Sequence, residues 1–183
     1  MGFLRKLFGK KEQENQAAPA GRQAPPADPA NDPNLIKVYD GYGRELFITR
    51  QEWKNMLLAN LEEKRNDPDQ LYAMLTDAME NGFTADIIPY AEQLQRTDSI
   101  PSRGWALLGV AYLELNRLND AQRVLEEFLA KHGEDGYVLT NLAKVYEKRG
   151  DHARAESVLW HALEVDPNQD VGLYWYIGMQ GTR

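Results

Sequence analysis

Apolar positions from residue 67 onward recur at intervals of three and four, and Gly, Asn or Pro interrupts the rhythm at short spacing. The pattern predicts helices over 68–81, 85–97, 102–115, 118–131, 136–148, 152–165 and 170–179. Between them stand Asn81-Gly82, Ser99-Ile100-Pro101, Asn116, Gly133, Gly150-Asp151 and Asp166-Pro167-Asn168. Asp67 before Pro68 opens the first helix, an acid that accepts backbone N–H bonds followed by a proline whose missing donor is not needed there. Connections of a few residues make consecutive helices antiparallel. Pro89 falls inside the 85–97 helix; with Asp86 as N-cap it would occupy the first turn, where proline is tolerated.

Upstream the period shortens. Residues 35–39 (LIKVY) and 45–48 (ELFI) are rich in β-formers, and Asp40-Gly41-Tyr42-Gly43 between them supplies turn chemistry. A lone hairpin is marginal in water, so this one is expected to dock on helices. Thr49-Arg50-Gln51-Glu52 is a capping box, with Ile48 and Trp53 at the positions of a hydrophobic staple. It predicts a helix from about Arg50 to Lys64 with Trp53, Met56, Leu57 and Leu61 on one face.

Composition changes the picture mainly at the N-terminus. Residues 12–34 contain Pro19, Pro25, Pro26, Pro29 and Pro33 but no aromatic or branched aliphatic residue, and are expected to be a disordered linker. Residues 1–11 carry Arg5, Lys6, Lys10 and Lys11 and no acid, on a chain whose net charge is −7. Phe3, Leu4, Leu7 and Phe8 share one helical face with those cations around the rest, a composition suited to an anionic membrane surface. The stretch lacks the core and cleavage site of a secretory signal, which predicts a cytoplasmic protein, peripheral on the inner face of the membrane if the leader binds there. No apolar run approaches the ~20 residues of a membrane span. The acidic balance argues against nucleic acid as a partner.

A shift of 34 residues superposes the chain on itself, taking Trp105 to Leu139, Leu108 to Leu142, Gly109 to Ala143 and Tyr112 to Tyr146. The same shift takes Ala121 to Ala155, Leu125 to Leu159 and Gly133 to Pro167. Residues 102–169 therefore resemble two tandem tetratricopeptide repeats, with W-x2-L-G-x2-Y on a first helix, A-x3-F on a second (Leu125 in the aromatic slot) and a closing Pro. The small residues let paired helices approach closely, and the tyrosines fill the space between successive pairs. The chain thus divides into a leader 1–11, a linker 12–34, a hairpin with capping helix 35–66, a degenerate repeat 67–101, and repeats 102–135 and 136–169. Residues 170–183 read as the first helix of a further, incomplete repeat, as in a piece of a longer array. The expected fold class is an all-α helical-hairpin solenoid of about three repeats plus a trailing helix.

Catalytic chemistry has little footing. Cys is absent, which excludes a disulfide scaffold, a thiolate zinc site and a cysteine nucleophile. There is no Gly-rich phosphate loop, nucleophile elbow or His-Glu-x-x-His helix, so no cofactor or metal is expected. His152 and His161 are too far apart along their helix to share a face as ligands.

The resemblance implies a concave surface lined by the first helix of each pair. At helical spacing that surface is Tyr137, Asn141, Lys144 and Lys148 in one repeat and Arg103, Leu107, Val110 and Glu114 in the other, with Ala106 and Leu113 beside them. A row of Leu and Val is unusual on solvated surface and is expected to be covered. Asn141, Lys144 and Lys148 offer donors to an extended backbone or an acidic group. Some family members grip a terminal carboxylate with Asn and several cations. Here Leu107, Val171 and Trp175 occupy the adjoining places. The layout, with VYDGYGRELFITRQEW ahead of the repeats, is similar to bacterial tetratricopeptide proteins of undefined role. The expected work is non-catalytic binding of a partner protein or peptide. The alternatives are a membrane-tethered assembly factor anchored by residues 1–11 and the regulatory N-terminal part of a larger enzyme.

Overall fold

The structure, a computed structural model, describes residues 32–170 together with 172, 175, 176 and 178. The basic leader, with Phe3, Leu4, Arg5, Lys6, Leu7, Phe8, Lys10 and Lys11, lies outside the described residues, as does the linker up to residue 31. Two compact units divide the chain, residues 1–63 and 64–183.

The first unit contains strands β1 (Leu35–Tyr39) and β2 (Glu45–Thr49) and helix α1 (Arg50–Lys64), whose last residue falls in the second. The strands pair antiparallel, with Ile36 opposite Ile48 and Val38 opposite Leu46, so β-branched and leucine side chains share one face. Ile36 and Val38 are buried. Asp40 shapes the turn, its carboxylate accepting from the Tyr42 and Arg44 amides at 2.9 Å each and from Arg44 Nε at 2.7 Å. Gly43, at φ +79°, supplies the left-handed position that follows. The capping box forms as its spacing predicts: Glu52 N donates to Thr49 Oγ1 at 3.1 Å, and Thr49 N donates to Glu52 Oε2 at 2.9 Å.

The second unit is helical throughout: α2 (Pro68–Glu80), α3 (Thr84–Thr97), α4 (Pro101–Glu114), α5 (Leu118–His132), α6 (Gly136–Lys148) and α7 (His152–Val165). Asp170, Gly172, Trp175, Tyr176 and Gly178 belong to a trailing helix. Asp67 caps α2 by accepting from Gln70 N at 3.1 Å. Each helix packs on the next in sequence, and α2 on α4 and α4 on α6 as well, so the first helices of the pairs form a continuous inner row. Stacked pairs of this kind form a solenoid.

The 34-residue period is written into the backbone. Gly82, Asn116 and Gly150 all take the left-handed conformation, at φ +77°, +57° and +78°. After each, an amide reaches back five residues: Phe83 N to Ala78 O at 2.9 Å, Arg117 N to Tyr112 O at 2.8 Å, and Asp151 N to Tyr146 O at 3.0 Å. These bonds satisfy carbonyls that a helix end leaves without partners. The tyrosines repeat too. The Tyr112 hydroxyl meets Glu92 of α3 at 3.4 Å, and that of Tyr146 meets Glu126 of α5 at 3.3 Å, each joining one helix pair to the pair before it.

One expected boundary moves. Phe83 rather than Asp86 precedes the first residue of α3, which places Pro89 in the second turn, inside the helix. Phe83 is buried, and the Thr84 hydroxyl donates to Glu114 at 2.7 Å, so tertiary contacts fix an earlier start. The helix continues through Pro89 without the ladder bond that residue would have donated.

At Gly109 a Cβ would lie 2.6 Å from Leu125 Cδ2 and 2.9 Å from its Cγ, so α4 and α5 approach more closely there than a side chain allows. Gly109→Leu is expected to destabilise the fold by about 1–3 kcal/mol through overpacking, read from a denaturant midpoint. A second expectation concerns α7, where His161 Nε2 meets Glu134 at 2.8 Å and Nδ1 meets Glu164 at 3.5 Å. Glu134 and then Glu164 raise the His161 pKa against a small opposing effect of burial. A raised folded value gives stabilisation that is complete below the ordinary histidine value of ~6.5 and is lost as pH rises through the folded value. Thermal melts across that window are expected to show a smaller fall in Tm for His161→Gln than for the parent chain.

Candidate functional site

On the inner row, α4, α6 and the trailing helix border an open cavity of about 430 Å³. Val110, Leu113 and Glu114 come from α4, Asn141, Lys144, Glu147 and Lys148 from α6, and Trp175 from the trailing helix. Spacings of three and four bring these residues to one face of each helix. Five of the eight predicted stripe residues meet here: Val110, Glu114, Asn141, Lys144 and Lys148.

Asn141 is fully buried. Its Oδ1 accepts from Lys144 Nζ at 3.2 Å, while its Nδ2 has no hydrogen-bond partner. Tyr137 lies one turn earlier and is half exposed. Burial pushes the Tyr137 hydroxyl above its ordinary pKa, Tyr72 adds to this, and the Asn141 amide opposes it. Burial alone holds the Lys144 ammonium below the ordinary lysine value. The cavity's acids are already engaged, Glu114 by the Thr84 hydroxyl at 2.7 Å and Glu147 by His152 Nδ1 at 2.9 Å. Lys148 is exposed at the rim. The site thus joins apolar walls to two carboxylates and two ammonium groups.

Three stripe residues do other work. Arg103 donates from Nε and Nη2 to Asp98 at 2.6 and 2.8 Å and from Nη1 to Asp69 at 2.7 Å, and its guanidinium lies 5.1 Å from the Tyr72 ring centroid. It ties α2 to the start of α4. Asp98, whose side chain is covered, is pushed up by burial but ends below the usual carboxylate range because Arg103 and the Ile100 amide together outweigh that effect. Asp98 in turn raises the Arg103 pKa. Leu107 is buried, and neither it nor Tyr137 lines the cavity.

Helical spacing puts Leu113 beside the stripe and Trp175 in the adjoining position, and leaves Glu147 out. Its spacing of three from Lys144 was the available signal. The close approach at Gly104 has no such signal. A Cβ there would meet the Gln95 and Leu94 backbone at 2.7–2.9 Å, a contact between α3 and α4 that no repeat position marks. Among the described residues no helix is long and apolar enough to cross a membrane.

Residues 112–176 match the tetratricopeptide repeat family. A crystal structure of MamA is similar at TM-score 0.50 and 18% identity, covering 62% of this chain and 66% of that one. MamA 41-end from Desulfovibrio magneticus RS-1 gives 0.49 and 18%, over 65% and 67% of the two chains. YrrB, described as a TPR protein with an unusual peptide-binding site, gives 0.49 and 17%, over 66% and 62%. The chain spans just under two thirds of the first of these structures. At such identity the likeness is one of fold.

Arg103→Leu leaves the covered Asp98 carboxylate without its cation. It is expected to destabilise the chain by about 2 kcal/mol or more, measured by chemical denaturation.

Proposed function

The chain carries tetratricopeptide repeats, and on that premise we propose that it is a non-catalytic scaffold that holds a segment of a partner protein along its inner row. The observation that carries this reading is the combination in one cavity of apolar walls (Val110, Leu113, Trp175) with a buried amide donor that has no partner, Asn141 Nδ2. A buried polar group left unsatisfied costs about 1–3 kcal/mol. An acceptor on a bound segment that reaches Asn141 removes that penalty. An aliphatic or aromatic side chain entering the cavity adds ~1.5–3 kcal/mol from burial. The two effects together match what a modest peptide–groove complex needs once ordering of the segment is charged against them.

Recognition here relies on helices already packed, with Arg103 bonded to Asp98 and Asp69 and the tyrosines of successive pairs held in place. A pre-formed row spends little free energy on rearranging when a segment arrives. The regularity of the stack sets the spacing of its contacts.

Selection of random dodecapeptides displayed on phage against the full chain tests this reading. Selected peptides are expected to lose about tenfold or more in affinity when Val110→Glu places a charge in the cavity wall. They are expected to bind unchanged to Gln122→Glu, on α5 outside the cavity. Peptides indifferent to Val110→Glu, or no enrichment at all, would count against the groove.

A further inference from the structure

The hairpin of the first unit has two outer edges that differ in chemistry. Arg50 N donates to Asn34 O at 2.9 Å, and Asp40 N donates to Arg44 O at 3.0 Å. With the register running from Leu35 opposite Thr49 to Tyr39 opposite Glu45, antiparallel alternation turns the Leu46 and Ile48 backbone groups toward β1. Those of Glu45, Phe47 and Thr49 point away from it, and among the described residues no further strand pairs with that edge. The edge of β1 carries Lys37 at its centre, a charge that deters strand addition. The edge of β2, ELFIT, has no lysine or proline. Its one acid, Glu45, is turned back to β1, accepting from Lys37 Nζ at 3.3 Å and from the Tyr39 hydroxyl at 3.2 Å. Leu46 points to the same face as the buried Ile36 and Val38, yet it is 43% exposed.

An antiparallel copy of β2 matches this edge about Phe47. Phe47 then stands opposite the partner's Phe47, Leu46 opposite the partner's Ile48 and Glu45 opposite the partner's Thr49. The two Phe47 residues exchange backbone bonds, and each Glu45 N–H reaches a Thr49 carbonyl. Thr49 N takes no part, because it already donates to Glu52 at 2.9 Å. Aromatic and aliphatic pairs directly opposite one another stabilise a ladder, and no like charges meet. Pairing β1 with its own copy sets Lys37 against Lys37 instead, which is unfavourable. Pairing β1 with the copy's β2 leaves another β2 edge open, so chains add without closure. We infer that the chain pairs with a second copy of itself through β2, with the two-fold axis at Phe47 and the lysine-bearing β1 strands outermost. Such a dimer carries the repeat unit twice, which makes the scaffold bivalent. The pairing does not depend on what the inner row holds.

Sedimentation equilibrium and amide hydrogen exchange on the full chain test the inference. A strand of five residues gives a small interface, so a monomer–dimer equilibrium with a dissociation constant on the order of 100 µM is expected. The Phe47 amide is expected to exchange about threefold or more slowly at ~1 mM protein than at ~10 µM, while the Lys37 amide on the β1 edge keeps its rate. Phe47→Glu faces Lys37 within its own hairpin, a favourable cross-strand pair, but sets two carboxylates against each other across the axis. It is expected to weaken the dimer about tenfold or more, with circular dichroism verifying that it folds. A parent chain that stays monomeric at ~1 mM would overturn the inference. So would a dimer in which the Phe47 and Lys37 amides respond alike to concentration, or one undiminished in a folded Phe47→Glu chain, since either locates the contact elsewhere. The exchange comparison uses the parent chain and decides the matter without the variant.

Discussion

Close approach of paired helices, and of each pair to the next, is the constraint from which the rest of the second unit follows. An isolated helix pair has an apolar face that only a neighbour can cover, so the fold persists only while the pairs remain in register. Gly109 against Leu125 sets the distance within one pair. Tyr112 on Glu92 and Tyr146 on Glu126 set it between pairs. The repeated left-handed turn at Gly82, Asn116 and Gly150 returns the chain at the same angle each time. Since the turns and the tyrosine contacts recur every 34 residues, α2, α4 and α6 come to lie side by side in a continuous row.

That surface is not electrically uniform. At its α2 end the cation is consumed internally, with Arg103 satisfied by two aspartates and an aromatic face. At its α6 end a cation is desolvated and lacks such compensation. The difference lies in neighbours rather than in residue type. Asp98 sits in the loop between α3 and α4, where Arg103 reaches it, while Lys144 is bordered by an amide, apolar side chains and acids bound to others. Two cations on comparable faces of successive first helices thus meet different surroundings, one bonded to two aspartates and the other to an amide.

The helices, their order and the repeat were legible because they depend on short-range periodicity and on residue types with strong local meaning. Asp67 before Pro68, the Thr49–Glu52 box and the small residue at Gly109 each act within a few residues or at a fixed repeat spacing. The start of α3 was less legible because burial of Phe83 and the Thr84–Glu114 bond are tertiary contacts that no local signal announces. Helical spacing brought Val110, Glu114, Asn141, Lys144 and Lys148 onto the inner row, yet it put Arg103 and Leu107 there on equal terms.

Sequence by itself determined that this protein would be a stack of helix pairs whose first helices share one surface, since periodicity and volume at repeated positions are properties of the chain. Tertiary structure alone decided which of those surface residues are engaged by other groups of the chain. Whether a side chain is neutralised, buried or left with unmatched donors depends on groups far away in sequence, such as Asp69 beside Arg103 or Trp175 across from Asn141. Those encounters exist only once the pairs have packed.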